Sequence, residues 1–189
     1  KHVLKVWSHV FIGPSRPMET IKAGVETVSH ASDMSAHVVK NFYELRRKGE
    51  NISQAQKEAS FETSRYQNLL NAMKRQDTIF DPTLTVFALR NSKKERDILL
   101  WGWSKLFTKL VHEKGIKIAA GTDGASDMYN IDYPLVHKEM DLLVSESGLS
   151  PLSAIRSATQ IGAEVIGIEK DYGALEAGKK ANIVILNND

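Results

Sequence analysis

The sequence predicts an α/β chain organised around a parallel sheet, and three observations carry that expectation. Short β-branched and aromatic segments alternate with longer amphipathic ones along most of the chain, the pattern of successive βαβ units. At 189 residues, with 42% hydrophobic and 25% charged content, the chain can bury a substantial core and lacks the composition of a disordered one. No apolar run approaches the roughly 20 residues that a membrane span needs.

The elements follow in order. Val3 to Val10 is β-branched and aromatic and ends at the turn-forming Gly13-Pro14-Ser15, so it reads as a strand. Ser15 stands where it would cap a short helix from Met18 to Ala23, with Pro17 in the first turn. Gly24 stops that helix and Val25 to His30 resumes a strand. From Asp33 to Lys48, Met34, Val38, Phe42 and Leu45 recur every three or four residues, a helical stripe that Gly49 ends. Ser53 to Lys74 reads as a polar surface helix whose Ser53 and Gln56 fit a capping box. Ile79 to Val86 is a third strand in which Pro82 marks a strand end or bulge. A long helix from Glu95 to Glu113 closes at Gly115, and Ile116 to Ala120 is the fourth strand. Helices at Leu135 to Glu146 and Pro151 to Ile166 follow, the second capped by Ser150 with Pro151 at its first position. Ile183 to Leu186 forms a last short strand.

Charge and composition exclude some functions. The 25 Lys and Arg residues are interspersed with 23 Asp and Glu, and a net charge of +2 leaves no basic face to track phosphates, so nucleic acid is not an expected partner. Nor is a membrane, since the opening KHVLKVWSHV lacks the long apolar core of a signal peptide. The absence of cysteine removes disulfides and thiolate metal sites and leaves the compartment open. The chain begins in Lys1 and by Val6 is already in a strand, as expected of a piece of something longer.

The segment GIKIAAGTDGASD, from Gly115, sets Asp123 just past the fourth strand. His9 and His30 stand at two equivalent places, the ends of the first two strands. In βα folds those ends open on one face, where catalytic residues gather. Two imidazoles and a carboxylate on one rim suit Zn²⁺ and similar divalent ions. Singly, each residue has an ordinary explanation: a strand-end histidine is commonly hydrogen-bonded structure, and an Asp before Gly is commonly a turn or cap. The coincidence of three raises the functional reading. His2, His37, His112 and His137 lack that placement and read as surface or capping residues, with His137 a weaker candidate for the same rim. Thr83 and Thr85 either line the pocket or satisfy a strand end.

Several of these segments resemble the amidohydrolase superfamily. IKAGVETVSHAS is similar to the segment leading to its sixth barrel strand and that strand's histidine, KVWSHV to the preceding strand, and GIKIAAGTDG to the last strand with its aspartate. PLSAIRSATQIGAEVIGIEKDYGALEAGKKANIVIL is similar to the family's C-terminal stretch and is the most specific of these matches. The likeness is nearest the imidazolonepropionase-like and Xaa-Pro-dipeptidase-like branch. It implies strands 5 to 8 of a TIM-type (β/α)8 barrel over residues 1–170, and over residues 171–189 a strand segment of a composite β-sandwich.

The resemblance also implies roles. His9, His30 and Asp123 would ligate a divalent metal, zinc foremost, with one or two ions in the complete enzyme. In single-metal members His30 would instead orient water or substrate. Asp123 would take the proton from the attacking water, and the substrate would be a small amide or cyclic amide. The family's His-x-His pair and bridging lysine have no counterpart, and Asn182 stands where the family usually has Asp. The expectation is therefore a C-terminal part of a C–N hydrolase, inactive without an N-terminal half that it would bind, or replace by self-association. The alternative is a non-catalytic binding or assembly domain with relic ligands.

Overall fold

The structure of the protein is a computed structural model that describes residues 4–10, 13–48, 64–90, 94–185 and 187. Three short strands, β1 (Trp7–His9), β2 (Thr27–Ser29) and β3 (Ile79–Asp81), form a parallel sheet in chain order. The register places Trp7 beside Thr27 and Thr27 beside Ile79. A fourth segment joins β3 through a parallel bridge between Phe80 and Ile118. There the Phe80 N–H donates to Lys117 O at 2.8 Å and the Ala119 N–H to Phe80 O at 2.9 Å. The expected strand from Ile116 to Ala120 is thus reduced to a bridge, with a ladder partner on one side.

Helices α1 (Pro17–Lys22), α2 (Phe42–Arg47), α3 (Ser64–Arg75), α4 (Leu84–Leu89) and α5 (Glu95–Glu113) connect and follow the strands. Then come α6 (Leu135–Ser145), α7 (Pro151–Ala158) and α8 (Gln160–Ile166), with 3₁₀ turns at Ala31–His37 and Ser126–Tyr129. Some signals hold as read. The Ser150 hydroxyl accepts from the Ser153 N–H at 3.2 Å, with Pro151 opening α7.

Other elements depart from expectation for local reasons. Arg16, not Ser15, takes the cap position of α1, its N–H donating to Glu19 Oε2 at 2.7 Å. The single helix expected from Asp33 to Lys48 is a 3₁₀ turn and α2, divided by Asn41 at φ 56°. The helix expected from Pro151 to Ile166 breaks at Thr159, whose hydroxyl turns back to Ile155 O at 2.8 Å. The third strand stops at Asp81 because Pro82 offers the ladder no N–H, and α4 starts at Leu84. The capping box at Ser53 and Gln56 lies outside the described residues. Ile183, Val184 and Ile185 form no strand and are exposed, and Leu186 is outside the described residues.

Alternation along the strands divides the interior. Val28, Phe80 and Ile118 enter the main core with Met34, Tyr66, Leu69, Phe107, Val111 and Leu143. Ile79 and Ala119 point the other way and pack beneath Val165 of α8. Beyond the N-terminal ends of the strands, Lys117 Nζ holds Asp77 at 2.8 Å and Glu164 at 2.6 Å. At the start of β1, Val6 and Trp7 remain 49% and 53% exposed. The sequence favours burial there, but among the described residues β1 pairs with β2 alone.

Candidate functional site

The C-terminal ends of the strands surround a cavity of about 280 Å³, lined among others by His9, His30, Asp81, Thr83 and Asp123. All three residues singled out from the sequence therefore face one space. His9 closes β1 and is exposed. His30 follows β2 and is buried, and Asp123 lies on the open rim.

The two imidazoles meet directly. Their Nε2 atoms are 3.3 Å apart, and the rings stand nearly perpendicular at 84°. The other nitrogen of His30, Nδ1, lies 3.0 Å from Thr83 Oγ1. This geometry admits the tautomer in which Nδ1–H donates to the hydroxyl and the Nε2 lone pair faces His9. Burial lowers the His30 pKa below the ordinary imidazole range, His9 adds to that effect, and Asp33 and Asp123 oppose it.

The backbone around the cavity is held in uncommon conformations. His30, Thr83 and Asp123 have φ of 78°, 51° and 50°, and they are three of the six non-glycine residues with positive φ among the described residues. For a β-branched residue such as Thr83 this region is a true outlier. Each such residue costs on the order of 1–3 kcal/mol and persists where the surroundings over-determine it.

Asp81 supplies part of that determination, and sequence reasoning assigned it no role. Trp7 Nε1–H donates to Ser29 Oγ at 2.6 Å, and the Ser29 hydroxyl donates to Asp81 Oδ2 at 2.7 Å. The Gly121 N–H donates to Asp81 Oδ1 at 3.1 Å. The carboxylate thus ties the end of β2 and the segment after Ile118 to the end of β3, and the Ser29 hydroxyl carries the chain of bonds on to Trp7 of β1. Burial pushes its carboxyl up to about 6, against the pull of the Ser29 and Gly121 hydrogen bonds. The available signal was its place, a fourth polar residue at a strand end.

A second acid lies behind the rim. Glu139 of α6 is fully buried and accepts from the Leu84 N–H at 2.9 Å, the Thr85 N–H at 2.7 Å and the Thr85 hydroxyl at 2.7 Å. Burial pushes this carboxyl up to about 7, the three hydrogen bonds opposing. Thr85 is therefore occupied away from the cavity, whereas Thr83 lines it. Of the remaining histidines, His37 is buried rather than on the surface, its Nε2 2.9 Å from Arg65 O. His137 is exposed and stacked on Tyr133, His112 borders a separate cavity near Lys117, and His2 lies outside the described residues.

The imidazole pair fits a divalent ion. Two nitrogens bound to a tetrahedral zinc at about 2.0–2.1 Å stand roughly 3.3–3.4 Å apart, the separation seen between His9 and His30. The Thr83 hydroxyl on Nδ1 is the kind of outer partner that orients a ligating imidazole. Among the described residues no three of His, Asp and Glu are gathered closely enough to hold an ion, so Asp123 shares the cavity without completing a three-ligand cluster.

Comparison with known proteins matches residues 104–189 to the Amidohydrolase family. A 5-methylthioadenosine/S-adenosylhomocysteine deaminase of Moorella thermoacetica is 37% identical over 78 residues, 39% of this chain and 18% of that protein. A 5'-deoxyadenosine deaminase of Methanobrevibacter smithii is 34% identical over 79 residues, again 39% and 18%. Among solved structures, a Xaa-Pro dipeptidase with bound methionine superposes at TM-score 0.57 and 22% identity, covering 87% of this chain and 35% of that one. An A. niger ochratoxinase superposes at TM-score 0.66 and 17% identity, covering 98% and 36%. The chain thus spans well under half the length of these relatives, and the solved structures share its α/β fold.

Proposed function

We propose, starting from a chain whose residues 104–189 carry the sequence of the Amidohydrolase family, that it is the C-terminal part of a metal-dependent hydrolase of C–N bonds. Its substrates would be small amides or cyclic amides. The observation that carries this reading is the convergence of His9 and His30, with their Nε2 atoms 3.3 Å apart, in one cavity with Asp123. Relatives named as deaminases and a dipeptidase are consistent with C–N chemistry.

His9 and His30 would hold the divalent ion, zinc foremost, with Asp123 joining them. When bound, such an ion acidifies water and polarises a carbonyl. The other steps belong to the chain. Asp123, exposed on the rim, takes the proton from the attacking water and delivers it to the departing nitrogen. Thr83 keeps the His30 ring from turning, and Asp81 holds the strand ends at one level.

Residues 1–170 would be strands 5 to 8 of a (β/α)8 barrel and 171–189 a strand segment of a small β-sandwich. Three strands paired in parallel and in chain order are the arrangement that consecutive strands of such a barrel adopt. β1 stands at the edge of the described sheet, the side on which a preceding strand would pair, and the chain would be inactive until an N-terminal half supplies it. Failing that partner, two copies would meet at this edge, which sedimentation at micromolar concentration would show as a dimer.

The test of the metal reading is a zinc titration of the purified 189-residue chain, followed by calorimetry and thermal melting. Saturable binding that raises the melting temperature, and its loss in His9→Ala and Asp123→Ala, is the expected result. A folded wild-type chain that ignores zinc would sink it. That result would favour the second reading, a non-catalytic half-barrel with relic ligands, which draws on the missing three-ligand cluster among the described residues.

A further inference from the structure

The turn that orients His30 is itself held from a distance. Thr83 places its hydroxyl on His30 Nδ1 only while its backbone stays left-handed, at φ 51° and ψ 46°. A buried β-branched residue does not rest there unaided. On the side facing β2, the turn is tied by the His30 N–H to Asp81 O at 3.0 Å and the Ala31 N–H to Pro82 O at 3.2 Å. On the other side, the next two N–H groups, of Leu84 and Thr85, both end on the Glu139 carboxylate, and the Thr85 hydroxyl joins them. Glu139 comes from α6, more than fifty residues along the chain, and is completely buried.

We propose that Glu139 is a positioning residue: it clamps the Pro82 to Thr85 turn so that Thr83 fixes the tautomer and orientation of the His30 imidazole. The inference deepens the functional reading and rests on it for the role of His30. Three donors converge on two carboxylate oxygens, so the clamp needs an acceptor on both. Glutamine supplies one acceptor and turns an amide N–H toward the other donors, which undoes half the clamp at nearly constant volume.

The test uses the whole chain labelled with ¹⁵N, without metal, and reads the His30 ring by long-range ¹H–¹⁵N correlation at a pH well above 7, where the imidazole is neutral and Glu139 is a carboxylate. The wild type is expected as the Nδ1–H tautomer. Thr83→Val, which removes the accepting hydroxyl, should shift it toward a tautomer mixture, and Glu139→Gln should produce at least half that shift with Thr83 intact. If Glu139→Gln does not fold, Thr85→Val, which removes one of the three donors, should move the ring in the same direction by less. A folded Glu139→Gln chain with the wild-type tautomer would overturn the proposal, as would a Thr83→Val chain with no shift. Zinc binding by the wild type is measured separately, so failure of the metal reading is distinguishable from failure of the clamp.

Discussion

Replacing Gly121 by alanine probes the tightest approach on the rim. A Cβ at that position would lie 2.3 Å from Asp81 Oδ1, 2.7 Å from its carboxyl carbon and 2.8 Å from Oδ2. Asp81 is 2% exposed and bonded on both sides, so it is no flexible tip that swings away. Restoring ordinary contact requires the carboxylate to withdraw by roughly 1 Å, which breaks or stretches its hydrogen bonds to Ser29 and Gly121. Hydrogen bonds to a charged group contribute about 1.5–3 kcal/mol each, and with partial relaxation the net loss should be about 3 kcal/mol. Urea unfolding followed by tryptophan fluorescence would show this as a midpoint lowered by about 1–2 M. In an Asp81→Ala background the obstacle is gone, and the same substitution should cost under about 1 kcal/mol. Wild-type stability in Gly121→Ala, or an equal loss in both backgrounds, would refute the reasoning.

Three further outcomes follow from the same structure. Gly102 lies inside α5 with nothing within 4 Å of a built Cβ, so Gly102→Ala should stabilise the chain by about 0.5–1 kcal/mol in the same unfolding assay. Phe107 is fully buried against Phe80, ring centroids 5.6 Å apart, and Phe107→Ala should lower stability by about 3–5 kcal/mol. The third concerns pH. Glu139 rises from 4.5 to about 7 on folding and Asp81 from 3.8 to about 6. Acids raised in this way bind protons more tightly in the folded state, so their contribution is full at low pH and is lost as pH rises through 6 and 7. His30, held low by burial, works in the opposite sense below its ordinary 6.5. The Glu139 part alone amounts to about 3 kcal/mol, so stability measured from pH 5 to pH 8 should fall, and Glu139→Gln should flatten that fall. An unchanged profile in the variant would contradict it.

The parts of this molecule that were legible in its sequence are those governed by neighbours in the chain. Ser150 and Pro151 announce the start of α7, and Gly115 announces the close of α5, because both signals act within a turn or two. His9, His30 and Asp123 were legible as strand-end polar residues, and the structure brings all three to one cavity. What escaped depends on distant partners. Asp81 stands in the sequence simply as a strand residue before Pro82, and its partners Ser29 and Gly121 come from distant segments. Glu139 stands within the apolar stripe of Leu135, Leu142 and Leu143, where an acid is out of place. That misfit was visible, but only the fold supplies Leu84 and Thr85 as its reason. The break at Asn41 and the left-handed Thr83 carry no glycine to mark them.

The two ends of the sheet answer to different forces. The rim is joined by short hydrogen bonds through Ser29 and Asp81, both nearly out of reach of solvent. The opposite end rests on Lys117 between Asp77 and Glu164, with the Asp77 side chain 73% exposed. Dissolved ions screen the second and barely touch the first, since the Debye length shrinks from about 8 Å at physiological ionic strength to about 3 Å at 1 M. Ionic strength is therefore an end-selective handle. Raising it should weaken the Lys117 pairs by up to about 1 kcal/mol while the Ser29 and Asp81 bonds at the rim, and the Ile79, Ala119 and Val165 packing behind the pairs, stay in place.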